Sequence, residues 1–167
     1  AAHADPKEAF EEQVADGRWL RVDETKVADG STTITLVDIT SLKRRQEASV
    51  LLAGADSDNE DFFDTAALAL AVGLGYRWAG VCSHSADGKR AKVEALSDNR
   101  SITKGPSYTL ANTPCQVVAC DRYLFVRDGI TGAYPEDALL ADWGARSYQG
   151  QLILDRTGAK IGHLFAC

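Results

Sequence analysis

Residues Phe62–Asn99 read "FFDTAALALAVGLGYRWAGVCSHSADGKRAKVEALSDN". Two periods meet in that stretch. Phe63, Ala66–Ala67, Leu70 and Leu74 recur at helical spacing and predict one amphipathic helix with these residues on one stripe. Asn59 or Asp58 is placed to cap it, with Glu60 and Asp61 complementing the helix dipole. Gly73 and Gly75 are expected to end it. From Tyr76 the pattern becomes strand. "RWAGVCSHS" and "AKVEALSDN" flank "ADGK", and Asp87–Gly88 is a hairpin signal.

Downstream, more strands follow. "RYLFVRDGI", "SYQGQLILD" and "IGHLFAC" read as strands, with a short helix in "PEDALLADWG" and a turn in "RTGAK". One helix, two strands, a mixed segment and three more strands predict an α+β domain centred on an antiparallel sheet. Upstream, "GRWLRVDETKV" alternates, with Trp19, Arg21 and Asp23 on one face and Leu20 and Val22 on the other. Asp29–Gly30 turns it into "STTITLVDIT", which predicts an antiparallel pair over Arg18–Val27 and Thr32–Asp38. Two strands alone are marginal in water, and the chain before them is too short to cover them. A helix then runs from Asp38 to Ala53, with Thr40 or Ser41 as its cap.

The totals set limits. The 167 residues are 45% hydrophobic and 25% charged, the balance of a globular protein. A net charge of −6 argues against non-specific binding to nucleic acid or an anionic membrane. Lys43, Arg44 and Arg45 read as the polar face of a connecting helix. No run reaches the roughly 18 apolar residues of a membrane span. No signal peptide is evident, so a reducing cytoplasm is the expected compartment. Met is absent even at position 1, and the chain reads as a piece of a longer protein.

Four cysteines are present, Cys82, Cys115, Cys120 and Cys167. Cys115 and Cys120 are five apart, so a helix would set them about 140° apart and a strand would put them on opposite faces. Neither geometry suits a shared metal. With no CxxC and scattered histidines at His3, His84 and His163, no metal site is expected. Cys82 and Cys120 read as core residues. In "SYTLANTPCQVVACDRYLFV" (Ser107–Val126), Tyr108–Asn112 reads as a pocket-edge loop. Thr113 then caps a helix that starts at Pro114, and a strand runs from Arg122. Cys115 would take the second helical position, where the dipole lowers a thiol pKa. His84, after a strand and before a turn, reads as a surface or satisfied core residue. His163, inside the last strand, would have to meet Cys115 in a thiol enzyme. Tyr108, Tyr123, Tyr134, Trp143 and Tyr148 have the flat rings and polar tips that suit a small-molecule cavity. Asp128, with Arg122 and Arg127 nearby, is a candidate polar contact.

Two resemblances rest on these stretches. "ADGRWLRVDETKVADGSTTITLVDITSLKRRQEA" (Ala15–Ala48) resembles the last hairpin and exit helix of a PAS domain, through its "DIT" and "LKRRQEA". "FFDTAALALAVGLGYRWAGVC", "TPCQVV" and "YPEDALLADWGARSYQGQLILDRTGAKIGHLFAC" resemble a GAF domain. Gln151 and Leu152 stand where many relatives have a small residue and proline. The resemblance implies the end of a PAS domain at 1–40, a connecting segment at 41–59, and a GAF domain at 60–167 that stops before its last strand and helix. It implies a bacterial signal-transduction protein, of the two-component or cyclic-nucleotide type. The effector, a kinase or cyclic-nucleotide enzyme, lies elsewhere, and the expected dimer forms through the Asp38–Ala53 helix.

The function expected is therefore a non-catalytic sensory input that binds a small ligand or a partner domain. Its candidate contacts are Tyr108, Cys115, Tyr123, Asp128, Trp143, Tyr148 and His163; no cofactor can be named. The alternative is a thiol enzyme or redox sensor using Cys115, since some GAF-fold proteins reduce free methionine sulfoxide with cysteines. Covalent bilin attachment is disfavoured, because no His directly follows a cysteine.

Overall fold

The structure is a computed structural model and describes residues 9–56, 59 and 61–167. It opens with β1 (Phe10–Gln13), β2 (Trp19–Lys26) and β3 (Thr32–Asp38). These form a three-stranded antiparallel sheet in the order β1-β2-β3. The hairpin is as expected, and β1 adds a strand at its edge. That strand extends the sheet without covering it. Val22 is buried, yet Leu36 is 60% exposed and Ile34 and Val37 are both 49% exposed.

Helix α1 (Thr40–Ala53) follows at once. Its N-cap is Ile39, not Thr40 or Ser41, and no side chain caps it. The "DIT" residues do a different job. The Asp38 carboxylate accepts from the Thr40 N–H, and the Thr40 hydroxyl accepts from the Trp19 N–H, each at 2.9 Å. The Ile39 N–H donates to the Trp19 carbonyl at 2.8 Å. Three residues thus lock the helix entry onto β2. Lys43 pairs with Glu11 and lies over the Trp19 ring. Glu47 pairs with Arg100 in the larger sheet's side of the molecule at 2.8 Å.

Helix α2 (Phe62–Leu74) packs on α1. The proposed cap Asp58 and the dipole partner Glu60 lie outside the described residues. The Asn59 side chain accepts from the Asp61 N–H, just ahead of the helix. Gly75 ends α2 in a left-handed turn at φ 73°. Gly73 instead stays inside, because a Cβ there would meet the Ala48 Cβ at 3.0 Å. The buried face is Ala67, Ala69, Ala71 and Val72; Phe63 and Leu74 are exposed. Short alanines, not large side chains, let the helix lie close to the sheet beneath it.

That sheet has seven antiparallel strands. They are β4 (Trp78–His84), β5 (Arg90–Asp98), β6 (Ser101–Thr103), β7 (Ser107–Thr109), and, after helix α3 (Pro114–Asp121), β8 (Tyr123–Val126). The short helices α4 (Ile130–Ala133) and α5 (Ala138–Trp143) precede β9 (Tyr148–Leu154) and β10 (Lys160–Ala166). The order is β6-β5-β4-β10-β9-β8, with β7 on the outer side of β5. The Tyr108 region is therefore a strand, not a loop: Tyr108 pairs with Ala91. Residues 127–130 leave the strand early, since Gly129 turns left-handed and Ile130 starts α4.

The faces divide cleanly. Val81, Ala79, Ala95 and Ala166 meet α2. Trp78, Cys82, Val93, Tyr148, Leu152 and Phe165 point the other way and meet α3 and α5. Among the described residues, no helix is long and apolar enough to cross a membrane.

Candidate functional site

The site forms where that second face meets α3, α5 and the segment joining β6 to β7. A partly open cavity of about 210 Å³ lies there, lined by Val93, Leu96, Leu140, Trp143 and Phe165. Tyr108, Cys115, Tyr148 and Asp137 bring polar groups to the same wall, and Lys104 lines it while its ammonium pairs with Asp64. Trp143 stacks between Trp78, at 5.5 Å, and Phe165, at 6.2 Å, which fixes it as a flat side of the space.

Strand pairing brings the polar groups together. His163 of β10 pairs with Cys82 of β4, and His84 lies two residues along β4. Diagonal neighbours on one face are within reach of ring side chains, and His84 Nε2 is 2.9 Å from His163 Nδ1. Ala91 stands between His84 and Tyr108 in the pairing. Its single methyl leaves room for the Tyr108 ring, whose hydroxyl reaches His163 Nε2 at 3.2 Å. The Tyr108 hydroxyl donates to Cys115 Sγ at 3.3 Å, and Cys115 Sγ is 3.3 Å from the Tyr148 hydroxyl. Cys82 Sγ is 3.7 Å from the Tyr108 hydroxyl. The result is a row of five side chains from His84 to Tyr148.

Burial governs its protonation. His163 is fully buried, and that burial, then His84, pushes its pKa down to about 3. His84 is also lowered, by burial and then by Lys160. Burial raises both tyrosines and Cys82. Cys115 occupies the second helical position as expected, with Thr113 as N-cap and Pro114 first. The Thr113 hydroxyl does not cap, however; it donates to the Leu110 carbonyl at 2.7 Å. The predicted fall in thiol pKa is reversed: burial raises it, against the hydrogen bonds from Tyr108 and Tyr148. Desolvation of a buried thiolate outweighs a helix terminus.

Tyr108, Cys115, Tyr148 and His163 thus lie in one row, and Trp143 lines the adjoining cavity. Tyr123 and Asp128 stand apart. Tyr123 is 47% exposed on the edge strand β8. Asp128 forms an exposed pair with Arg146 at 3.1 Å, which lowers its pKa. Cys120 is exposed rather than in the core. His84, Lys104, Asp137 and Phe165 belong to the site without having been read there. For Asp137 a signal existed: it precedes an apolar run as a helix cap does. Its side chain accepts from the Leu140 N–H at 3.3 Å, and burial raises its pKa. Asp137→Ala is expected to lower stability by about 1 kcal/mol, with Asp137→Asn near wild type, read as urea midpoints.

The chain matches no family model and no curated protein. Solved structures do share its fold. The chromophore-binding domain of an unusual bacteriophytochrome from R. palustris is 13% identical, with a TM-score of 0.56 over 96% of this chain and 64% of that one. This chain therefore spans less than two thirds of that structure. The GAF domain of A. aeolicus nlh2 in an inactive state is 11% identical, with a TM-score of 0.55 over 77% and 78% of the two chains. The phycocyanobilin-bound GAF domain from a cyanobacterial phytochrome is 14% identical, with a TM-score of 0.53 over 78% and 80%. The likeness is one of fold: this chain has an α+β, GAF-like fold with an antiparallel sheet flanked by helices.

Proposed function

We propose that this fold serves as a regulatory input module that holds a small molecule in the cavity beside Trp143, and that it is not itself an enzyme. The observation that carries the reading is the cavity: about 210 Å³, partly open, mostly apolar, and edged by a few polar groups. That is the composition of a small-ligand site. One of the similar folds holds phycocyanobilin. The thiol reading has less support, since burial keeps Cys115 protonated.

Screening a fragment library of small aromatics tests this. Binders are expected to change Trp143 emission and to stabilise the chain by about 2.7 kcal/mol at a hundredfold excess over Kd. Filling the space with Leu140→Trp should remove both effects. A library without binders, or binding indifferent to Leu140→Trp, overturns the reading. Coexpression with bilin synthesis is expected to give colourless protein, because no cysteine is followed by His. A coloured, covalently modified product would reverse that expectation.

In this proposal the strands at 1–40 end a PAS-type domain, 41–59 connects, and 60–167 forms the GAF domain. The ligand's effect passes through α1 to an effector, a kinase or cyclic-nucleotide enzyme, in a cytoplasmic bacterial protein of the two-component type. Helix α1 suits a relay because it pairs with both parts, through Lys43–Glu11 and Glu47–Arg100. It also exposes Leu42, Val50 and Leu52, at 50%, 72% and 48%. A homodimer through this helix is expected; light scattering that finds only monomer at high micromolar concentration sinks it.

A further inference from the structure

The cavity beside Trp143 is edged by a charge that the fold leaves without a counter-ion. Among the described residues, the charged side chains lining it are Asp137 and Lys104. The Lys104 ammonium is engaged by Asp64 of α2. Asp137 forms no ion pair with a described residue; its partners are the backbone N–H groups at the start of α5. Capping does not require its charge, since asparagine caps a helix as well as aspartate does.

Two observations set that carboxylate toward the interior. It is half-buried at the cavity wall, and burial raises its pKa. Its charge also raises the pKa of Cys115 and of Cys167, both of them buried. A partly desolvated carboxylate is costly until a cation meets it. Attraction between opposite charges grows as water is excluded, and an anion in the same space would be repelled. A metal ion is poorly served here. Among the described residues, no three His, Cys, Asp or Glu side chains are grouped to hold one, whereas a hard cation such as calcium takes about six to eight oxygen ligands. The rest of the wall is largely apolar and aromatic, with Leu140, Trp143 and Phe165 among its residues. Such a wall receives an apolar body, and aromatic rings also tolerate a positive end. An apolar cavity of about 150 Å³ holds benzene, so one of about 210 Å³ takes a single ring with a short arm.

We propose that the cavity takes a small organic cation, an ammonium group carried on a single-ring apolar body, with Asp137 as its anionic anchor. The inference rests on the reading of the cavity as a ligand site and names the chemistry that site selects. The ammonium donates to the Asp137 carboxylate, and the ring lies among Leu140, Trp143 and Phe165. Binding is non-covalent.

Three probes share a ring and differ in charge at pH 7: benzylamine is a cation, benzyl alcohol is neutral and benzoate is an anion. Dissociation constants are read by calorimetry on the full chain. Benzylamine is expected to bind about tenfold tighter than benzyl alcohol, the difference that a charge-assisted hydrogen bond makes. Benzoate should bind more weakly than either. Asp137→Asn keeps the cap, so its urea midpoint should stay at the wild-type value while benzylamine falls to the level of benzyl alcohol. Asp142→Asn removes the same charge from an exposed position on α5 and should leave the preference intact. Leu140→Trp should abolish binding of every probe. If wild type binds benzylamine and benzyl alcohol alike, or Asp137→Asn keeps the preference, or Asp142→Asn loses it, the anchor is wrong while the cavity reading stands. If no probe binds wild type, or Leu140→Trp leaves binding unchanged, the cavity reading fails and cation selection falls with it.

Discussion

Gly162→Ala is expected to lower stability by about 3 kcal/mol, or roughly 6–12 °C in Tm. A Cβ at this position would lie 2.1 Å from the Cys82 carbonyl oxygen and 3.3 Å from the Ser83 Cα. Those are backbone atoms of β4, and they cannot rotate aside as a side chain would. The clash falls between β4 and β10, two central strands of the larger sheet. It also falls at the irregular step between Lys160 and Gly162, where the register against β9 shifts. A bulge re-aims the residues that follow it, and the next residue is His163. Urea unfolding gives the measurement, with Gly132→Ala as the control. Nothing lies within 4 Å of a Cβ at Gly132 and its φ is not positive, so that variant should stay within about 0.5 kcal/mol of wild type. A wild-type midpoint for Gly162→Ala would contradict the close approach of the two strands.

The same glycine marks where sequence reasoning stops. Local signals carried far: Asp29–Gly30 and Asp87–Gly88 turn their hairpins, Gly75 ends α2, and Pro114 starts α3. Each depends on a residue's own φ or missing N–H, which neighbours cannot change. The site depends instead on register. His84 meets His163 only because Cys82 is opposite His163 in the β4–β10 ladder, while irregular steps at Val81–Cys82 against β5 and at Lys160–Gly162 against β9 set how the flanking strands join that pair. No periodicity count passes through a bulge. Tyr108 was legible as an aromatic with a polar tip, but its strand is three residues long and pairs with the far end of β5. Cys120 and Cys115 differ for a similar reason. Helical spacing separated them, while only packing determined that Cys115 is buried and Cys120 exposed. For Cys115 the helix dipole gave the wrong sign, because a terminus acts locally and burial acts on the whole thiolate.

Acid should destabilise this chain well before its carboxylates titrate, and His163 is the cause. Its folded pKa is pushed down to about 3 from a usual 6.5. Between those values the unfolded chain binds a proton that the folded chain refuses. Stability is therefore whole above pH 6.5 and falls as pH drops toward 3, at up to about 1.4 kcal/mol per unit. Between pH 7 and pH 5 the loss is about 2 kcal/mol, a large part of a typical margin. His84 adds to it in the same direction, since its pKa is also lowered. Asp137 acts oppositely, because its raised pKa favours the fold as acid increases. The effects of Asp38 and other carboxylates with lowered pKa values belong to more acid conditions. Urea midpoints at pH 5, 6, 7 and 8 isolate the histidine window. His163→Gln keeps a polar group between Tyr108 and His84 but cannot titrate, so its midpoints should vary much less over that range. Equal wild-type midpoints at pH 5 and pH 7, or an undiminished slope in His163→Gln, would remove His163 as the cause.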